Sequence, residues 1–231
     1  MRNAKIQGLA PMEQQLFEAI KAGEVDDVRA LVKETPSLKD ARDASGASAL
    51  LVAAYNMKPD VVNALLDLGA TVDIFEAAVL GKVDRIAEIL KQSPSRASEY
   101  APDGFTPVAL AAFFGQPEAA RALIAAGADV NAAAKNGLKV AALHAAVAGG
   151  KLDIVKAVLE AGANPNAQQQ AGFRPMHEAG TKANRALAEL LLKHGADPTL
   201  TSDDGKSAID LAREKGHADF GDWLATQRPA G

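Results

Sequence analysis

Apolar positions in this chain fall in short bursts at helical spacing, and the bursts come in pairs punctuated by glycine. Residues 103–131 carry the pattern at its most legible. Asp103 and Gly104 suit a turn. Thr106 and Pro107 then open a short helix, the threonine as N-cap and the proline where a missing N–H is tolerated. Gly115 ends it. A second helix is expected over 117–126, with Ala120, Leu123 and Ile124 on one face, and Gly127 is placed to stop it in a left-handed turn. Two helices of this size cannot bury their apolar faces alone, so neighbouring copies must cover them.

Such copies run the length of the chain. Leu16, Phe17, Ala19 and Ile20 precede Gly23, and Val25, Val28, Leu31 and Val32 follow it. Leu50, Ala53 and Ala54 pair with Val61, Val62, Leu65 and Leu66; Ile74, Phe75, Ala77 and Ala78 pair with Val83, Ile86, Ile89 and Leu90. From Gly104 onward the turn glycines Gly137, Gly172 and Gly205 are spaced by 33, 35 and 33 residues. The two extra residues fall between Gly137 and His144, in a loop or first helical turn. Between the second and third copies the chain passes straight through Thr71-Val72-Asp73, so the projecting turn there is missing or reduced. Long connectors at 37–46 and 95–104 precede the second and fourth copies.

A turn and two helices recurring at about 33 residues resembles the ankyrin repeat. The resemblance covers nearly the whole chain and implies an all-α fold. That fold is a curved ankyrin-repeat solenoid of stacked helix-turn-helix units with projecting β-turn fingers and polar capping repeats at both ends. Seven repeats are expected, at about 13–45, 46–72, 73–102, 103–135, 136–170, 171–203 and 204–224, forming one domain over 13–224. A flexible lead-in at 1–12 and a tail at 225–231 flank it. Each second helix is expected to be longer than the first, and the first helix of the sixth copy to be weakened by Gly180.

Composition narrows the partner. The net charge is −4 with 23% charged residues, which gives no basic footprint for phosphates, so nucleic acid is not an expected partner. No apolar run approaches the roughly 20 residues of a membrane span, and the N-terminus lacks the apolar core of a signal peptide. Cysteine is absent, which removes disulfides and thiolate chemistry and fits a reducing compartment. A monomeric cytoplasmic protein is expected.

The chain shows no catalytic constellation. His144 and His177 stand where the repeat family's Thr-Pro-Leu-His phrase puts its histidine, and the resemblance implies a bond to the backbone of an adjacent finger. His194 and His217 suit capping or solvated roles. Gly205-Lys206-Ser207 imitates a phosphate loop, but Leu200 occupies the position that needs glycine. Asp203-Asp204-Gly205 imitates a calcium loop, but Leu211 stands where the carboxylate is required. His177-Glu178 lacks the second histidine of a zinc helix. No enzyme, metal or cofactor is expected.

Specificity must then come from positions that the framework leaves free. The two residues before each mid-repeat turn are Lys21-Ala22, Tyr55-Asn56, Val79-Leu80, Phe113-Phe114, Ala148-Gly149, Thr181-Lys182 and Glu214-Lys215. The middle copies are apolar or aromatic there and both ends are polar. Aromatic residues make up only 4% of the chain, so their concentration at Tyr55, Phe113 and Phe114 points to a binding face. Phe105 and Tyr100, in or beside the adjoining finger, would extend it. The expected contact residues are Tyr55, Asn56, Val79, Leu80, Phe105, Phe113 and Phe114, and the expected partner is a protein or peptide. Two readings stand for Phe113 and Phe114, partner anchors or packing beneath the next finger. The Tyr55 hydroxyl calls for water or a partner. A dedicated regulator covering one enzyme's active site is the alternative to a general scaffold.

Overall fold

The computed structural model describes residues 11–227; residues 1–10 of the expected lead-in and 228–231 of the expected tail lie outside the described residues. Among the described residues the helices form seven pairs: α1 (Pro11–Ala22) with α2 (Val25–Glu34), α3 (Ala49–Tyr55) with α4 (Pro59–Asp67), α5 (Ile74–Leu80) with α6 (Val83–Gln92), and α7 (Pro107–Phe113) with α8 (Pro117–Ala125). The remaining pairs are α9 (Ala142–Gly149) with α10 (Leu152–Glu160), α11 (Pro175–Thr181) with α12 (Arg185–Lys193), and α13 (Ala208–Glu214) with α14 (Ala218–Thr226). The first helix starts at Pro11, so the lead-in gives up its last two residues to α1. The tail likewise loses its first two to α14.

The first helices of successive pairs stack on one another from α1 through α13, and second helices pack beside them, as α2 does with α4, α6 with α8 and α8 with α10. The result is an all-α solenoid. The interior is one seam running through every pair, with Leu16, Leu50, Leu65, Ile86, Leu123, Ile154 and Leu191 almost wholly buried along it. Among the described residues no helix is long and apolar enough to cross a membrane.

Close packing of the first-helix layer follows from its composition. These helices are rich in alanine, with Ala109, Ala111, Ala112, Ala142, Ala145 and Ala146 at most 2% exposed. Two glycines take the approach further. A Cβ on Gly149 would lie 2.7 Å from the Ala112 and Phe113 carbonyl oxygens, and one on Gly180 would lie 2.3 Å from that of Ala208. Gly180 is the point at which α11 meets α13, its missing side chain leaving room for the Ala208 carbonyl. The length rule also has an exception, because α1 has 12 residues against 10 in α2. The glycine at the mid-repeat turn is replaced by Met57 and Ala183 in two pairs, which still take φ of 55° and 48°.

The connectors are ordered. Where the second and sixth helices lack a Gly-Ala ending, Thr35-Pro36 and Ser93-Pro94 lead into tight 3-10 turns, Pro36–Asp40 and Pro94–Ser98. Leu38 and Ala97 anchor these turns in the seam at 4% and 2% exposure.

Candidate functional site

Thr106 caps α7 as its sequence suggests, its side chain accepting from Ala109 N at 3.3 Å. Before the capped helix stands a finger closed by Ala101 N–H donating to Phe105 O at 2.9 Å and Gly104 N–H donating to Ala101 O at 2.8 Å. Equivalent fingers close between Asp43 and Ala47, Ala134 and Val140, Gln169 and Phe173, and Ser202 and Lys206. The two extra residues of the fifth copy thus sit inside the 134–140 finger, where Lys139 rather than Gly137 takes the left-handed conformation, at φ 53°. Successive fingers are bonded to one another: Lys135 N–H to Gly104 O, Gln170 N–H to Leu138 O, and Asp203 N–H to Ala171 O, at 2.9 to 3.0 Å.

The histidines belong to this framework. Nδ1 of His144 accepts from Ala141 N–H at 3.3 Å, which leaves Nε2 to donate to Ala167 O at 3.0 Å. Nδ1 of His177 accepts from Arg174 N–H at 2.9 Å, and its Nε2 donates to Lys206 O at 3.1 Å. Both imidazoles are neutral in this arrangement, and burial lowers both pKa values. At the corresponding turn of α5 a buried glutamate does similar work: Glu76 accepts from Asp73 N–H and from the Ser48 hydroxyl at 2.7 Å. Among the described residues no group of three His, Cys, Asp or Glu is placed to hold a metal.

No finger of this kind precedes α5, and the aromatic residues exploit the gap. Tyr55, at the end of α3, reaches past the α5 pair to donate its hydroxyl to Asp103 Oδ2 at 2.7 Å in the finger before α7. Burial first, then this carboxylate, raises the phenol pKa. Its ring stacks on Phe114, with centroids 5.6 Å apart and planes at 18°, and Phe113 meets Phe114 edge-on at 5.4 Å. The Tyr55 hydroxyl therefore finds its partner inside the chain. Phe114 is half-buried in the same stack, while Phe113 remains 53% exposed.

These rings line a groove of about 640 Å³ that runs along the first helices and fingers. Of the residues expected to make contacts, Tyr55, Asn56, Phe105, Phe113 and Phe114 line it. Val79 and Leu80 do not: Val79 is buried at 2% exposure, Leu80 is half-buried against the core, and the Tyr55–Phe114 stack spans their pair. Tyr100 lies apart, under the Lys135 ammonium at 4.0 Å. The groove extends further than the sequence reading placed it, through Leu138, Val140, Phe173 and Arg174. A signal for this extension was present. The residue after each turn glycine reads Ala47, Phe105, Leu138, Phe173 and Lys206, apolar in the middle like the mid-repeat positions.

A two-layer stack of helix pairs with bonded fingers and a groove along one layer defines a helical-repeat solenoid. The chain belongs to the ankyrin-repeat family: one family model of ankyrin repeats (3 copies) matches residues 143–230, and another, of ankyrin repeats (many copies), matches 108–158. Ankyrin repeats in general mediate protein–protein interaction and are non-catalytic. Among similar proteins is a probable E3 ubiquitin-protein ligase of Oryza sativa subsp. japonica, 38% identical over 106 residues, which are 45% of this chain and 20% of that protein. An E3 ubiquitin-protein ligase of Arabidopsis thaliana is 29% identical over 176 residues, 76% of this chain and 9% of that protein. Protein phosphatase 1 regulatory subunit 27 of Homo sapiens is 39% identical over 72 residues, 31% of this chain and 47% of that protein. The first two matches span a fifth or less of the relatives' own length.

Proposed function

We propose that the chain is a non-catalytic scaffold, monomeric and cytoplasmic, whose groove of first helices and fingers receives a peptide segment or loop of a partner protein. The observation that carries this reading is Phe113, 53% exposed in a groove that Tyr55, Phe105, Phe114 and Phe173 also line. A single exposed apolar residue is ordinary. A large ring exposed within a groove, braced edge-on by a second ring, is instead preorganised to bury more surface when a partner arrives. Phe114 braces it and is itself stacked on Tyr55.

Phe113 is the clean probe, because Tyr55 and Phe114 also hold the stack together. Phe113→Ser should cost no more than about 1.5 kcal/mol of stability, the scale of the edge-on contact with Phe114 that it removes. It should weaken partner binding by at least about 2 kcal/mol, the scale of an interface hot spot, or roughly 30-fold. Calorimetric titration of a co-purified partner against both proteins measures this, and equal affinities would overturn the proposal. A second reading, regulation of one enzyme by covering its active site, draws on the likeness to a phosphatase regulatory subunit. Titrating the chain into a co-purified enzyme and finding its rate unchanged would remove that reading.

A further inference from the structure

We infer that the segment received by the groove carries an acidic side chain a few residues from its apolar anchor, and that Arg174 binds it. The inference rests on the groove reading above and follows from how the charges in the lining are used. Five charged side chains line the groove: Lys21, Asp43, Asp103, Arg174 and Glu178. Asp43 Oδ1 is engaged by Ser45 N–H, the Ser45 hydroxyl and Ala47 N–H. Asp103 accepts from the Tyr55 hydroxyl and Phe105 N–H. Glu178 is paired with Lys182 at 2.7 Å. Lys21 makes no ion pair among the described residues, but it sits in the pair preceding the Asp43 finger, at the end of the groove that already holds Asp43 and Asp103.

Arg174 differs from all of these. Its Nη1 donates to the Gly172 carbonyl at 3.1 Å and the Thr201 carbonyl at 2.5 Å, in adjoining fingers. These bonds fix the plane of the guanidinium without neutralising it. Among the described residues no carboxylate pairs with Arg174, Nη2 makes no hydrogen bond, and Nε is buried without a partner. A guanidinium held by carbonyls, with Nη2 still free to donate, is prepared for a carboxylate, which it grips more strongly than a neutral acceptor. The groove is thus polarised, with carboxylates at the Asp43–Asp103 end and an uncompensated cation at the far end. With Glu178 at that end paired to Lys182 and Lys21 lying at the end that holds Asp43 and Asp103, an acidic side chain is favoured most at the Arg174 end.

Spacing follows from the stack. Adjacent first helices lie about 10 Å apart and an extended chain advances about 3.3 Å per residue. The acidic residue therefore falls about three residues from a side chain seated on Leu138, one pair away, and about six from one seated on Phe113, two pairs away.

Selection of a displayed library of random 12-residue peptides against the full chain tests this, with one enriched peptide then measured by fluorescence polarisation. Enriched peptides should combine an apolar anchor with Asp or Glu at that spacing. Replacing the acid by its amide should weaken binding to the wild type roughly 10-fold or more, the scale of a charge-assisted hydrogen bond, yet change little against Arg174→Gln. Arg174→Lys should recover only part of the loss, since it keeps the charge without the planar group that the Gly172 and Thr201 carbonyls hold in place. If acid and amide peptides bind the wild type equally while Phe113→Ser still abolishes binding, the acidic-ligand inference is wrong and the groove reading stands. If no peptides are selected, or binding is indifferent to Phe113→Ser, the groove reading fails and this inference falls with it. The peptide-side exchange leaves the chain unaltered, so it does not depend on how Arg174→Gln folds.

Discussion

His144 and His177 spend both ring nitrogens on backbone groups, and that has a consequence for stability. Protonation would place a hydrogen on Nδ1, against the Ala141 or Arg174 N–H that it accepts from, and would charge a buried ring. Burial accordingly lowers both pKa values from 6.5. The unfolded chain, with ordinary histidines, takes up these protons first as pH falls. Stability is therefore fully present above about pH 6.5 and is lost below it as pH falls toward the folded pKa. Each histidine contributes a slope of at most about 1.4 kcal/mol per pH unit. Urea denaturation between pH 5 and 8 should show this fall, and His177→Gln, which can keep a donor and an acceptor, should reduce the slope by about half. A flat profile over that range, or an unchanged slope in the variant, would contradict the neutral pair.

At the scale of the element, two opposing magnitudes meet at Gly180. Alanine is a better helix former than glycine by about 1 kcal/mol, so in an open helix Gly180→Ala would stabilise. Here the new methyl would stand 2.3 Å from the Ala208 carbonyl oxygen, and α11 would have to move off α13. Overpacking of that kind typically costs about 1 to 3 kcal/mol, enough to reverse the sign. Chemical denaturation reads it directly, and any gain in stability would mean that the two helices are not in close contact. Glycine in a helix looks like weakness from sequence because the residue opposite it is a full repeat away. Helix boundaries were legible because they depend on local chemistry: Thr106, Pro107, Gly115 and Gly127 act within a turn of where they stand. The finger-to-finger bonds, the buried Glu76 and the Arg174 end of the groove were not, since each is decided by a neighbouring pair. Val79 and Leu80 illustrate the same limit. Their positions match those of Phe113 and Phe114, but the stack that spans them is made by distant residues on either side, Tyr55 and Phe114, across the missing finger. The Tyr55 side lies 24 and 25 residues before them and the Phe114 side 35 and 34 after, so no local reading joins the two.

For the whole molecule, the missing finger alters how stability is shared. In a stack of repeats each unit touches only its neighbours, so free energies add as unit and nearest-neighbour contributions. The hydrogen bond from Tyr55 to Asp103 and the stack of Tyr55 on Phe114 break that rule, because they join the second pair to the fourth. They are possible only where the α5 pair lacks a finger to stand between them. A hydroxyl donating to a carboxylate is worth about 1.5 to 3 kcal/mol when well shielded, and the half-buried position of both partners argues for the lower part of that range. A double-mutant cycle of Tyr55→Phe and Asp103→Asn should therefore give a coupling energy of about 1 to 2 kcal/mol, well above the additivity error of about 0.3 to 0.5 kcal/mol for independent sites. Tyr55→Phe keeps the ring stack and removes only the hydroxyl, so the same variant should speed amide exchange in the 101–105 finger while leaving the 202–206 finger unchanged. Additive energies in the cycle, together with unaltered exchange at 101–105, would show that the hydrogen bond does not couple the second pair to the fourth and that the ring stack alone joins them.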